Sequence, residues 1–198
     1  MRKLTIAAIV IALAAAATAA FAGPFETGAD AFRRGDYQGA MNAWRGIAAT
    51  DSMVQNNIGI MYKGGRGVPR DYNMAVQWFS RSAANGNSFG QNNMGGMYRD
   101  GLGVQRDYVR AQTFFKAGAQ QGNAGAQINL GIMLMQGQGG RPDPVQAYMW
   151  FDLAAQQGMQ QAVTYRNQLR QRMSNNDVAI ATNASQRCRA NNFKNCTG

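Results

Sequence analysis

The groups to weigh first for chemistry in this 198-residue chain are ten carboxylates and two thiols, because it contains no histidine. Without an imidazole there is no ready general base near neutral pH, no partner for a serine or cysteine nucleophile and no nitrogen ligand for a metal. Asp71, Asp107 and Asp143 recur every 36 residues, each just before a stretch patterned as a helix. A carboxylate placed there accepts from free backbone N–H groups and meets the positive end of the helix dipole. Asp100 and Asp107 flank one loop and could be drawn as acid and base, yet nothing nearby in sequence would raise either pKa. No H-E-x-x-H, P-loop, G-x-S-x-G or cysteine–histidine pair is present. No catalytic residue, cofactor or metal site is therefore expected. A G-x-G step precedes a helix at Gly65/Gly67, Gly101/Gly103 and Gly137/Gly139. It resembles a phosphate loop superficially, but its recurrence reads as a joint between structural units.

The thiols are Cys188 and Cys196, at the ends of "CRANNFKNC". Two cysteines in an exported chain most simply pair as a disulfide. Two thiols without histidine make a poor metal site.

The elements that carry these residues follow from a repeat. "MYKGGRGVPRDY" starts at Met61 and "MYRDGLGVQRDY" at Met97, and residues 52–87 and 88–123 agree at 18 of 36 positions without a gap. Residues 124–159 form a third unit in the same register. Self-similarity of this kind predicts stacked helical hairpins. In the first half of each unit, residues such as Met94, Met97 and Tyr98 fall at i, i+3, i+4. The second half places Ala75, Trp78, Phe79 and Ala83 on one stripe, matched by Ala111, Phe114, Phe115, Ala119 and by Ala147, Trp150, Phe151, Ala155. Gly86, Gly122 and Gly158 close the units. Gly59, Gly95 and Gly131 sit inside first helices, where glycine costs about 1 kcal/mol against alanine. The expected return is close approach of an aromatic ring from the second helix.

This pattern of small residue, tyrosine, glycine loop, aspartate, alanine and paired aromatics resembles the Sel-one-like repeat, a relative of the tetratricopeptide repeat. The resemblance implies an all-α, right-handed α/α solenoid. Unit three departs from the pattern: Leu134 replaces the tyrosine, Gly140 the valine, and "RPDP" at 141–144 stiffens the loop. Residues 23–51 read as a tetratricopeptide-like hairpin through Asp36, Tyr37, Ala40 and Trp44, and 160–198 as capping helices and a disulfide-closed tail.

Solenoids bind along the face of their first helices. Subtracting the core positions leaves Met53, Asn56, Asn57, Ile60 and Lys63 in unit one, and Phe89, Asn92, Asn93, Gly96 and Arg99 in unit two. Unit three leaves Gly125, Ile128, Asn129, Ile132 and Met135. The expected partner-binding set is Asn56, Asn57, Lys63, Phe89, Asn92, Asn93, Arg99, Ile128 and Asn129. By the tetratricopeptide resemblance, Asn57, Asn93 and Asn129 would hold the backbone or terminal carboxylate of a peptide; alternatively they only bond the neighbouring helix.

Residues 1–22 have a basic start at Arg2 and Lys3, an apolar stretch and "AFA" at 20–22. They read as a secretory signal cleaved after Ala22, with an uncleaved anchor as the rival. Cleavage would leave a periplasmic or secreted protein with no stable membrane span. Removing Arg2 and Lys3 leaves 18 basic residues against 10 acidic ones. Such a surface draws anionic partners, or serves only solubility. Nucleic acid fits the charge and not the compartment. The sequence thus points to a monomeric, non-catalytic adaptor for a protein or peptide. A binder of anionic envelope polymer or lipid through the basic C-terminal third is the alternative. A hydrolase is the third class: some exported relatives carry enzymatic activity, but this chain supplies no residue set for it.

Overall fold

The computed structural model describes residues 23–194 and Cys196. The expected signal segment, 1–22, lies outside the described residues. The chain order is α1 (Pro24–Arg33), α2 (Tyr37–Trp44), α3 (Ser52–Gly64), α4 (Tyr72–Ala84), α5 (Ser88–Asp100), α6 (Tyr108–Ala119), α7 (Ala124–Gln136), α8 (Pro144–Gln156), α9 (Gln160–Arg170) and α10 (Asn175–Ala190). Among the described residues there is no strand. Consecutive helices pair as hairpins α1–α2, α3–α4, α5–α6 and α7–α8, and each of the last three hairpins is one 36-residue unit.

The helix starts are fixed by side chains, as their sequence positions require. Asp71 Oδ1 accepts from Met74 N at 3.0 Å, Asp107 Oδ1 from Arg110 N at 2.9 Å and Asp143 Oδ1 from Gln146 N at 2.9 Å. Asp51, Asn87 and Asn123 cap α3, α5 and α7 in the same way. The first helices end where Gly65, Gly101 and Gly137 take φ of 65°, 70° and 68°, a left-handed conformation that a side chain resists. The chain then turns back, and the backbone N–H of each capping aspartate donates to the carbonyl of Tyr62, Tyr98 or Leu134 at 2.9 Å.

Within a unit the hairpin closes on glycine and phenylalanine. A Cβ on Gly59 would lie 2.5 Å from the Phe79 ring; on Gly95, 2.6 Å from Phe115; on Gly131, 2.6 Å from Phe151. All three rings are fully buried, Phe79 in one cluster with Met97 and Phe115 in one with Met133. The glycine therefore creates the hole that the ring fills, and the helices approach closely. The N-terminal hairpin uses the same device without the loop: Gly28 faces Trp44, whose Nε1 donates to Phe25 O at 3.2 Å.

Between helices, bonds recur with the period. Asn85 Nδ2 donates to Gln55 Oε1 at 3.0 Å, Gln121 Nε2 to Gln91 Oε1 at 2.7 Å and Gln157 Nε2 to Gln127 Oε1 at 2.9 Å. First helices of successive units also touch, α3 with α5 and α5 with α7.

The last unit is covered on a further side. Both α9 and α10 pack on α8, which is buried at every position from Ala147 to Ala154. Asp152 sits at the centre of this joint and is 7% exposed. It accepts from Arg166 of α9 at 2.9 Å, from Ser185 of α10 at 2.6 Å and from Gln156 at 2.7 Å. The disulfide Cys188–Cys196 closes the tail, and both cysteines are buried against the core of the last two units. No described helix is long and apolar enough to cross a membrane.

Candidate functional site

The first-helix face carries the expected residues, but the fold uses several of them internally. Asn93 Nδ2 donates to Asn56 Oδ1 at 2.7 Å, and Asn129 Nδ2 donates to Asn92 Oδ1 at 2.9 Å. Asn56 Nδ2 also reaches Asn57 Oδ1 at 3.4 Å. The amides thus link α3 to α5 and α5 to α7. That is the plainer of the two roles expected for them, and it fixes the spacing of the units.

Two expectations need correction. Asn56 is 3% exposed and Ile128 is 4% exposed. Neither offers a surface to a partner: Asn56 is covered where α3 meets α5, and Ile128 packs with Phe151, Tyr148 and Ala154. Gly96, also counted on the face, is buried. Asn57, Lys63, Asn92, Asn93, Arg99 and Asn129 are half-buried along the row, and Phe89 is 51% exposed at its head.

Arg99 is engaged on three sides. Its guanidinium donates to Asp100 at 2.7 and 3.0 Å and to Asn129 Oδ1 at 3.1 Å, and it lies 5.7 Å from the Phe115 ring centroid. Hydrogen bonding to Asp100 raises the Arg99 pKa against the opposing cost of burial. In return Arg99 holds the Asp100 carboxyl below its ordinary range, and Lys63 of the preceding unit lowers it further. Asp100 is therefore a firmly ionised partner, the opposite of what a general acid at neutral pH requires.

The other carboxylates are similarly occupied. Nine of the ten accept hydrogen bonds within the fold, eight as caps or ion pairs and Asp177 from the Ser174 hydroxyl; Glu26 is the exception. The basic residues are not. Among the described residues only Arg33, Arg99, Arg110 and Arg166 pair with a carboxylate. On the C-terminal helices Arg170 and Arg187 are exposed, as are Arg172 in the turn between them and Lys194 in the tail. No group of three or more acidic or cysteine side chains that could hold a metal occurs among the described residues.

One opening was not anticipated as a unit. A cleft of about 490 Å³ lies between Phe89 and Met159, floored by Gly122, Ala124 and Gly125 and edged by Gln121 and Gln157. Phe89 and Gly125 are equivalent positions in units two and three. Spacing places Phe89 and Gly125 on the face, and Met159 at the end of a unit and the start of the capping helix; its 37% exposure follows from where α9 begins.

Comparison with known proteins agrees with this architecture. No curated protein matches the chain. Among solved structures, a Sel1 repeat protein from Oxalobacter formigenes superposes with a TM-score of 0.69 at 28% identity, over 73% of this chain and 58% of that one. A protective antigen of uropathogenic Escherichia coli, described as displaying an SLR fold, superposes with a TM-score of 0.72 at 27% identity, over 80% of this chain and 34% of that one. This chain thus spans well under two thirds of either. The Sel1 repeat pattern itself matches residues 52–87, 88–123 and 124–159, the same three units. With more than half of its length in these three matches and a hairpin stack to go with them, the chain belongs to the Sel1 repeat family.

Proposed function

We propose that this protein is an exported, non-catalytic adaptor that holds a protein or peptide partner along its first-helix face. Sel1 repeat proteins generally act as protein-interaction modules. The observation that carries the reading for this chain is the half-buried row Asn57, Lys63, Asn93, Arg99 and Asn129, in which Asn93, Arg99 and Asn129 are locked from unit to unit by side-chain bonds. A row fixed in this way loses little conformational entropy when a partner docks. Residues 23–51 and 160–198 act as the end caps of the stack, and the protein works as a monomer. Export rests on the N-terminal signal pattern, and the closed Cys188–Cys196 disulfide fits an oxidising compartment.

The test uses the disulfide-closed protein as bait in an envelope extract, at low and at high salt. Asn57→Ala with Lys63→Ala is the variant of choice, because Asn93 and Arg99 also hold the units together. A single protein retained at high salt and lost with the double variant supports the reading. Retention that ignores the variant sinks it.

A second reading has its own observation: Arg170, Arg172, Arg187 and Lys194 are exposed without a carboxylate partner. They suit an anionic polymer or lipid of the envelope. Binding of that kind collapses with added salt, so the same experiment separates the two.

A further inference from the structure

We propose that the cleft between Phe89 and Met159 is the anchor pocket of the binding face. Its occupant is an acidic segment of a partner protein that inserts one large apolar side chain over Gly125. This rests on the interaction reading above and specifies the chemistry of the partner.

The first argument is shape. Position 53 carries Met53, position 89 carries Phe89, and the equivalent position 125 carries glycine. The row of side chains at the head of the first helices is therefore interrupted in unit three. Phe89 stands 51% exposed on one side of the gap and Met159 stands 37% exposed on the other. Among the described residues, large apolar side chains this exposed are few: the others are Val109 and Ile180, and neither lines this cleft. Packing constrains this gap far less than the helix-interior glycines. A Cβ on Gly125 would meet Asn123 Oδ1 at 3.3 Å and otherwise only Asn92 at 3.8 Å or more, whereas Gly95 or Gly131 would be driven into a ring. An aromatic wall, a flexible thioether wall and a backbone floor suit one inserted apolar side chain.

The second argument is charge. Nine of the ten carboxylates are engaged inside the fold, while most basic side chains among the described residues have no acidic partner. No acidic residue lines the cleft. The basic tail borders it: the Phe193 ring packs over Gly122 on the cleft floor, with Lys194 next in the chain. Arg189 is bonded to Gln156, beside Gln157 on the rim. The uncommitted charge around the pocket is positive, so the flanks of the inserted residue are acidic.

The test is fluorescence anisotropy on the disulfide-closed protein. The probe is a short peptide with one phenylalanine among aspartates and glutamates. One control carries serine in place of phenylalanine, another carries asparagine and glutamine in place of the acids. The key variant is Gly125→Phe, which gives unit three the residue that unit two already has; Phe89→Ser removes the opposite wall. Binding of the parent peptide, weakened about tenfold or more by either control and by either variant, supports the proposal. An unchanged melting temperature shows that Gly125→Phe leaves the fold intact. Equal affinity for Gly125→Phe and wild type overturns the proposal, as does no binding of the parent peptide. Polyglutamate bound as tightly as the parent overturns it in favour of charge alone. Running the Asn57/Lys63 double variant in the capture experiment separates the two levels. If that variant loses its partner while Gly125→Phe keeps it, the anchor pocket falls and the interaction face stands.

Discussion

The joints between repeats and the joint that ends the stack are built from different material. Between units the same contact recurs, asparagine to asparagine across 37 residues from one first helix to the next; within each unit glycine lies under phenylalanine, amide meets amide across 30 residues and an aspartate caps the second helix. At the C-terminal end a single buried carboxylate ties three helices together, with a disulfide behind it. Ser80, Lys116 and Asp152 are equivalent positions; the first two are exposed and the third is buried. A repeat can leave that position to solvent because its neighbour is another repeat. The last unit needs a cover there, and the cover needs a specific anchor. The comparison teaches that a solenoid is stabilised by distributed, similar joints and terminated by a concentrated one.

Breaking the concentrated joint should cost most. Asp152→Ala leaves the buried Ser185 hydroxyl and the half-buried Arg166 guanidinium without their partner, and a loss of about 3 kcal/mol is expected. Urea unfolding should show it as a lower midpoint, with release of the C-terminal helices seen as faster amide exchange in α9 and α10. An exchange pattern unchanged there would mean the node is not what holds the cap.

Reducing Cys188–Cys196 should cost somewhat less, about 2.5 kcal/mol from the entropy of so short a closed loop. The melting temperature should fall on adding a thiol reductant, with increased amide exchange confined to the tail and the Gly122 edge. The repeats should remain folded.

Within a repeat, two adjacent glycines sharpen the contrast. Gly95→Ala pushes a Cβ into the Phe115 ring at 2.6 Å and should destabilise by about 1–3 kcal/mol despite better helix propensity. Gly96→Ala meets nothing within 4 Å and should stabilise by up to about 1 kcal/mol. Equal effects of the two in thermal melts would contradict the glycine–ring account.

The caps come next. Asp107→Ala should lose about 1 kcal/mol. The effect should be similar for Asp71→Ala, since the geometry is the same.

The smallest effect concerns pH. The folded Asp100 carboxyl is held below its unfolded value by Arg99. Its contribution is therefore fully present above the unfolded carboxylate value, near about 4, and is lost as pH falls through the lower folded value. Wild type should melt slightly above Asp100→Asn at neutral pH, and the difference should close in acid.

Much of this was legible in the chain because repetition makes a local cost visible. Glycine inside a helix is unremarkable once; at 59, 95 and 131 it announces the ring that fills the space. The aspartate caps were legible because capping is local, settled within one turn. Gly28 under Trp44 carries no such signal, because the N-terminal hairpin lacks the loop and so breaks the period. Asn56 and Ile128 were placed on the surface by spacing alone, yet they are covered, because how far neighbouring first helices close on each other is not a property of either helix.

The number of units, their boundaries at 52, 88 and 124, the helix caps and the partner of each cysteine follow from the chain alone, since these rest on local propensity and on a period that one chain displays. Only the tertiary structure decided which asparagines face one another, that Asp152 is an internal anchor bonded to Ser185 33 residues away, and that Phe89 and Met159 stand across a cleft from each other. Those depend on the tilt and separation of packed helices. That geometry is set by side-chain volumes summed over the whole interface, and no single stretch of the chain encodes it.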